Sequence, residues 1–323
     1  MNRAVFFLLA ALVVLSAPGL GAAPAQFTAT LDTIWAMGDT RYLMEIPASP
    51  FGVSSELIFP LNTLVEGMRF HYTPARRGGL RWSLEVSVHT NLIKPYGLML
   101  DYDWWMYPGS PKVPFFYTES AAVMRWCLAG AELQFDLRSG AWGRVALAFG
   151  YRFQFINQLI TGYKGWTLDD NLDGTLEPYT PEQNLNDYVL DYMIFYNTAT
   201  AGLTLTLNPA PPVSVTAEAG FALPYVYDYD DHLLRHKLST ASGVGYGGYA
   251  GLEARYTWSP ANSRLRPFIA LAGSGLWLYA NILQTQYWYQ GATEYPPGTW
   301  ISGVDHRIST RQYRVALIFG LQF

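Results

Sequence analysis

The chain has 323 residues, a formal net charge of −4 and fewer charged residues (14%) than aromatic ones (16%). Because a typical soluble domain carries about 25% charged residues, this composition argues against an ordinary soluble domain, and the weak acidic charge gives no sign of nucleic-acid binding. The single cysteine, Cys127, excludes an intramolecular disulfide framework. The uniform composition favours one large domain over two.

The N-terminus has the pattern of a secretory signal. An apolar run from Ala4 to Leu15 follows a short basic start and is shorter than the ~20 residues of a membrane helix. A small-x-small cleavage pattern follows at Ala23-Pro24-Ala25, and we expect cleavage after Ala25, with cleavage after Ala23 as the alternative. The predicted segments are a signal peptide, 1–25, and a single exported domain, 26–323.

Period-2 alternation dominates the rest of the chain and predicts strands. In the last strand, one face carries only large apolar residues and the opposite face carries mainly small and polar ones, which is typical of a strand between lipid and lumen. The apolar face is formed by Tyr313, Val315, Leu317, Phe319, Leu321 and Phe323. The predicted strands are 28–45, 55–74, 80–100, 119–138, 142–161, 187–207, 212–228, 241–258, 265–285 and 308–323.

The connectors between these strands alternate between short and long. In outer-membrane barrels the short turns are periplasmic and the long loops extracellular, and an even strand number puts both termini in the periplasm. Several strands have ~20 residues, about twice the number needed to cross a bilayer. The sequence therefore predicts an all-β fold, a ten-stranded antiparallel transmembrane β-barrel that extends above a bacterial outer membrane and contacts its lipid.

Two acidic clusters stand at strand ends in this charge-poor chain. One is Asp101-Tyr102-Asp103-Trp104, after the third strand, and the other is Asp228-Tyr229-Asp230-Asp231-His232, after the seventh. Because successive residues of a strand face opposite sides, counting along strands three and seven predicts five side chains in the lumen: Asp101, Asp103, Asp228, Asp230 and His232. Strands three and seven of ten lie on nearly opposite walls, so we expect the clusters to face each other at the extracellular rim.

The residue types suit hydrolysis by an activated water. Two carboxylates held close together cannot both ionise cheaply, so the pKa of one of them rises. A histidine held by an aspartate is a competent general base, because the carboxylate fixes its tautomer and stabilises the imidazolium. A water between the two pairs is placed to attack a carbonyl, and no cofactor is expected.

The order and spacing of these clusters resemble the omptins, outer-membrane endopeptidases on ten-stranded barrels. That family carries an Asp-x-Asp-Trp motif after strand three and an Asp-x-Asp-x-His motif after strand seven. The resemblance implies that Asp101 and Asp103 form the catalytic aspartate couple and that Asp230 and His232 form the catalytic dyad. It also implies that Asp228 selects a basic substrate side chain before the scissile bond.

The resemblance implies further pocket acids, whose positions here differ from the family pattern. On the first strand, Asp39 and Glu45 are both near the expected position. Before strand four, the alignment favours Thr118, with the acid Glu119 one residue later, and we include Glu119 as a candidate substrate-binding residue. The basic residues with which omptins bind lipopolysaccharide have no counterpart on strand six, which has no Lys or Arg from Val189 to Asn208.

Other polar features have simpler interpretations. The segment Asp169–Gly174 starts like a calcium loop but has Thr180 where an EF-hand needs Glu, which favours a solvated turn. His71 and His89 are predicted to be lumenal, and His236 and His306 to lie in loops without a zinc pattern. The competing functional hypothesis is a non-enzymatic barrel, an adhesin or small porin, on the same scaffold.

Overall fold

A computed structural model describes the greater part of the chain. The described residues are 25–46, 52–75, 80–93, 96–168, 175–179, 188–258, 265–290 and 295–323. The predicted signal peptide and the acidic turn at 169–174 lie outside them, apart from residue 25. Within the described part, none of the helical segments has the length and apolarity needed to cross a bilayer.

Antiparallel strands make up almost all of the described chain, together with a single-turn 3-10 helix at Leu233–Arg235. The strands are β1 (Gln26–Ile46), β2 (Gly52–Pro60), β3 (Thr63–Thr73), β4 (Trp82–Asn91), β5 (Tyr96–Met106), β6 (Val113–Gly140), β7 (Gly143–Leu168), β8 (Leu176–Tyr179), β9 (Tyr188–Ala210), β10 (Val213–His232), β11 (Lys237–Val244), β12 (Tyr246–Thr257), β13 (Arg266–Trp288) and β14 (Trp300–Gln322).

These strands close into a ring with ten positions. Three positions are each shared by two consecutive strands, namely β2 with β3, β4 with β5, and β11 with β12, and β8 only extends the rim beside β7. The ring closes where β1 pairs with β14, from Thr28 opposite Gln322 to Glu45 opposite Asp305. The predicted ten-stranded antiparallel barrel is therefore confirmed, and the start of β1 and the end of β14 lie at the same end of it, with Phe27 paired to Phe323.

The outer surface changes from apolar to polar partway along the strands. On β14 the outward residues from Tyr313 to Phe323 are exposed and apolar, whereas the outward residues nearer the other end include Arg311 and Asp305. Trp277 Nε1 donates to Tyr313 Oη at 3.3 Å, as in the aromatic girdle at the edge of a membrane-spanning band. The strands therefore continue well beyond the apolar band into a raised rim.

Side chains fill the lumen between the band and the rim. Gln312 Nε2 on β14 donates to Gln154 Oε1 on the opposite wall at 2.8 Å, and Gln158 Nε2 donates to the Pro60 carbonyl at 2.8 Å. Tyr196 hydrogen-bonds Thr310 across the same level. These layers close the lumen, because a barrel of this size leaves room for side chains rather than for a wide channel.

Below this layer lies a charged cavity of about 410 Å³ inside the apolar band. Arg69 Nε contacts Asp32 Oδ2 at 2.6 Å, and His89 Nε2 lies 3.1 Å from the same oxygen. His71 lines this cavity too. The lumenal positions predicted for His71 and His89 are confirmed.

Several strands run further into the rim than the sequence predicts. β10 continues to His232 with its inward–outward alternation intact. β14 begins at Trp300 and stays paired with β13, with one register shift at Gly303. Asp230 and His232 therefore lie on a strand rather than in a loop. The loop position predicted for His306 is wrong, since His306 is an inward residue of β14.

Candidate active site

The second acidic cluster occupies the inner face of β10 in the rim. Asp228 and Asp230 are each only 1% exposed. Tyr225 and Tyr227, which precede them at the alternate positions of the strand, are exposed on the outside. The predicted parity therefore holds to the end of the strand. The cluster lies above the apolar band: its contact on β14, His306, is roughly 20 Å along the strand from Tyr313 at ~3.3 Å per residue.

Asp230 and His232 form a hydrogen-bonded pair. His232 Nε2 lies 3.1 Å from Asp230 Oδ2. Burial alone would raise the pKa of Asp230, but the charges of His232, Lys237 and His306 and the His232 hydrogen bond outweigh it, and the pKa lies below its usual value. Burial lowers the pKa of His232 by more than the nearby Asp230 raises it. At neutral pH the pair is therefore an ionised carboxylate and a neutral imidazole.

Asp101 and Asp103 stand on the inner face of β5. The break between β4 and β5 does not change which residues point inward. Buried His89 before it and buried Met99 after it are both odd-numbered, as are Asp101 and Asp103. Burial and the neighbouring Asp103 raise the pKa of Asp101 well above its usual value. Burial also raises the pKa of Asp103, against the opposing effect of a hydrogen bond from Ser55. The two carboxyl groups together therefore keep a proton to a higher pH than an isolated aspartate does.

One cavity of about 190 Å³ brings the two clusters together. Asp101 from β5 and His232 from β10 both line it. The charge of Asp230 contributes to the raised pKa of Asp101, which places these two carboxyl groups within electrostatic range. The predicted meeting of the third and seventh ring positions at the rim is therefore seen in the structure.

Two cations, Arg235 and Lys237, lie beside these acids. Arg235 ends the 3-10 helix after β10, and Lys237, the first residue of β11, is buried on the inner face of that strand. Their positive charges lower the pKa values of Asp101 and Asp103, in opposition to burial, and lower the pKa of His232. The acids are therefore partly balanced by cations of the protein itself.

Asp228 has a partner that the sequence reading missed. His306 Nε2 lies 2.9 Å from Asp228 Oδ2, and both side chains are buried. The Tyr42 ring lies 4.0 Å from the His306 ring, centroid to centroid. His306 is even-numbered, like the inward residues Gln312 and Arg314 of the same strand. Extending the predicted strand to residue 306 would therefore have placed His306 in the lumen.

The remaining predicted pocket acids do not enter the cavity. Glu119 faces outward, where it accepts a 2.6 Å hydrogen bond from Tyr117 Oη, while Thr118 lines the cavity. Asp39 is on the outer face and pairs with Arg41 at 3.1 Å. Glu45, also outward, accepts from Lys112 Nζ at 2.7 Å and pairs with Arg307. Period-2 alternation causes this, because each acid is one residue away from an inward position.

The arrangement pairs a base with a proton-holding acid in a buried site. A neutral imidazole oriented by a carboxylate is able to take a proton from water, and carboxyl groups with a raised pKa are able to supply a hydrogen bond to an oxygen. One buried carboxylate oxygen each of Asp101 and Asp230 has no hydrogen-bond partner among the described residues. Within the same residues, no group of three or more His, Cys, Asp or Glu side chains is arranged to hold a metal ion.

Comparison with known proteins relates the chain to outer-membrane barrels by fold. The structure of the outer membrane protease OmpT from Escherichia coli matches with a TM-score of 0.68 at 13% identity, over 94% of this chain and 98% of that one. The toluene transporter TbuX from Ralstonia pickettii matches with a TM-score of 0.29 at 10% identity, over 94% and 90%. No family model and no curated protein sequence matches. The first likeness establishes the fold of an outer-membrane β-barrel, and the second score is too low to indicate a shared fold.

Proposed function

We propose that the protein is an outer-membrane endopeptidase of the omptin type, which hydrolyses peptide bonds with a water activated at the extracellular rim of the barrel. The observation that carries the proposal is the cavity lined by both Asp101 and His232. The two motifs reach this cavity from nearly opposite walls, and the pKa of Asp101 is raised whereas that of Asp230 is lowered. Titratable groups whose environments push their pKa values apart mark acid and base roles.

In the proposed reaction His232 is the general base. It takes a proton from water as the water oxygen attacks the peptide carbonyl carbon, and Asp230 stabilises the imidazolium that forms. The proton then passes to the amine that leaves when the carbon–nitrogen bond breaks. Asp101 and Asp103, which together hold a proton, position the water and donate to the developing oxyanion.

Two observations favour this proposal over a small porin or adhesin. Hydrogen bonds such as that between Gln312 and Gln154 cross the middle of the lumen and obstruct it. Burying Asp228 and Asp230 costs folding free energy, and such costly buried acids are more typical of a functional site than of a passive scaffold. The fold shared with a protease from Escherichia coli points in the same direction. The proposed partners are outer-membrane lipid and peptide or protein substrates.

A peptide assay tests the proposal. Protein refolded in detergent or lipid is incubated with fluorogenic peptides that contain basic, apolar and acidic residues. We expect cleavage by the wild type and a loss of at least 100-fold in kcat/KM in Asp103→Ala and His232→Ala, since positioned acid–base groups contribute about 10²–10⁴-fold.

Asp305→Ala is the matched control, because Asp305 is an exposed acid on the outer face of the same rim. Its activity should equal that of the wild type. Cleavage that survives in both the Asp103 and the His232 variants would sink the assignment, and so would the absence of cleavage across the whole peptide set.

A further inference from the structure

The acid predicted to select a basic side chain already has a histidine partner. Asp228 contacts His306 at 2.9 Å, and neither side chain is accessible to solvent beyond 1%. A basic substrate side chain would have to displace His306 or share this carboxylate with it. Breaking a buried hydrogen-bonded pair by removing one partner costs several kcal/mol.

Aromatic side chains fill the space around this pair. Tyr42 lies against the His306 ring at 4.0 Å, and Gln284 donates a hydrogen bond to its hydroxyl. Tyr192 stacks on Phe59 with ring centroids 4.1 Å apart and planes 9° from parallel. Each of these rings is at most 3% exposed. The surroundings of Asp228 are therefore packed core rather than an open pocket.

The cavity beside Asp101 and His232 has a different character. Its apolar lining comes from Leu57, Met99, Phe116, Val189, Leu190 and Leu234. Besides Asp101 and His232, its polar lining comes from Thr118, Ser120, Tyr163 and Arg235. A cavity of ~150 Å³ lined by apolar residues holds a benzene ring. The cavity of about 190 Å³ has room for a leucine or phenylalanine side chain.

We propose that the enzyme selects an apolar substrate side chain, which enters the cavity beside Asp101 and His232, and that His306 prevents Asp228 from binding a basic one. This inference rests on the proposed function and replaces the basic preference that the omptin resemblance implies. His306 acts as a specificity-determining residue: it occupies the carboxylate that a lysine or arginine would need.

The first test is a peptide series that varies only the two residues flanking the cleaved bond. We expect wild-type protein to cleave peptides with Leu or Phe at one of these positions at least tenfold better, in kcat/KM, than peptides with Arg or Lys. Thr118→Phe, which fills the cavity, should reduce cleavage of the Phe peptide more than that of an Ala peptide. Equal or better cleavage of the Arg peptides by the wild type would overturn the inference while leaving the peptidase intact.

The second test does not need activity. Binding of p-aminobenzamidine, a fluorescent aryl amidine, is measured with folded protein in detergent. We expect at least tenfold tighter binding in His306→Ala than in wild type, and loss of that gain in the double variant with Asp228→Asn. His306→Gln is the matched control, because it keeps a donor toward Asp228 and should show no gain.

The two tests separate the possible failures. If no peptide is cleaved, the proposed function fails, and the amidine measurement still decides whether His306 blocks Asp228. If wild type binds the amidine as tightly as His306→Ala, or if the gain survives Asp228→Asn, the inference fails. Heat-modifiable gel migration verifies that each variant forms a closed barrel, and the wild-type peptide series does not depend on any variant.

Discussion

At the scale of single residues, the rim holds carboxyl groups whose pKa values are shifted in opposite directions. Burial and Asp103 raise the pKa of Asp101, whereas His232 and nearby cations bring the pKa of Asp230 below its usual value. Both groups are buried, so the difference comes from their partners: Asp230 has a histidine at 3.1 Å, and Asp101 has a second carboxyl group. The proposed roles of proton-holding acid and base-orienting carboxylate follow from this difference.

We predict that Asp101→Asn stabilises the folded protein at neutral pH while it lowers kcat. Because the pKa of Asp101 is raised in the folded state, the folded protein binds more protons than the unfolded chain, and stability falls as pH rises from ~4 through the raised pKa. Each unit of that rise is worth about 1.4 kcal/mol. Urea unfolding in detergent micelles at pH 4 and pH 8 should show a gain for the variant that is larger at pH 8.

Asp305→Asn is the control for this prediction, since Asp305 is exposed on the outer face, and it should leave the free energy of unfolding nearly unchanged at both pH values. A gain for Asp101→Asn that is the same at pH 4 and pH 8 would contradict the explanation by burial of a charge.

At the scale of strands, β1 changes partners at the junction between the membrane band and the rim. Up to Ala36 it pairs with β3, and from Asp39 it pairs with β2. Gly38 stands at the change with φ of 129°, and a Cβ there would lie 1.9 Å from the Arg311 carbonyl oxygen of β14. Only glycine fits this backbone without displacing the neighbouring strand.

We predict that Gly38→Ala lowers the free energy of unfolding by roughly 1–3 kcal/mol, because the backbone must strain or the closing pair of strands must separate. Urea unfolding of the refolded protein measures the change. Gly273→Ala is the matched control: Gly273 also lies in a membrane-band strand, but its added Cβ would meet no atom nearer than 4.0 Å. Equal effects of the two substitutions would show that the backbone at Gly38 is not the cause.

At the scale of the whole molecule, the lumen is divided into a charged lower cavity and the rim that holds the candidate active site. Between them lie Gln154, Gln158, Tyr196 and Gln312, which are buried and hydrogen-bonded across or along the walls. The division supports the rim from below, since the side chains of a site need packed neighbours to hold their geometry.

We predict that the wild-type protein gives no stable ion conductance in planar lipid bilayers, because the hydrogen-bonded layer closes the lumen. A variant with Gly in place of Gln154, Tyr196 and Gln312 should raise the conductance measurably. Stable conductance steps from the wild type would favour the porin hypothesis instead.

The sequence by itself determined the barrel, its ten ring positions and the inward face of both acidic clusters. These follow from side-chain alternation and from the contrast between lipid and lumen, which are local properties of each strand. The alternation of inward and outward residues is unchanged across the break between β4 and β5, since Met99 and Asp101 point inward like His89. Glu119 was included because of the family alignment, and it lies one residue after the inward position that Thr118 occupies.

Only the tertiary structure decided what surrounds those acids. Asp228 and His306 are 78 residues apart, and they meet across the lumen because β10 and β14 both extend into the rim. The 190 Å³ cavity likewise combines residues from several walls. Such contacts depend on strand lengths and on how closely opposite walls approach, which side-chain alternation within one strand does not encode.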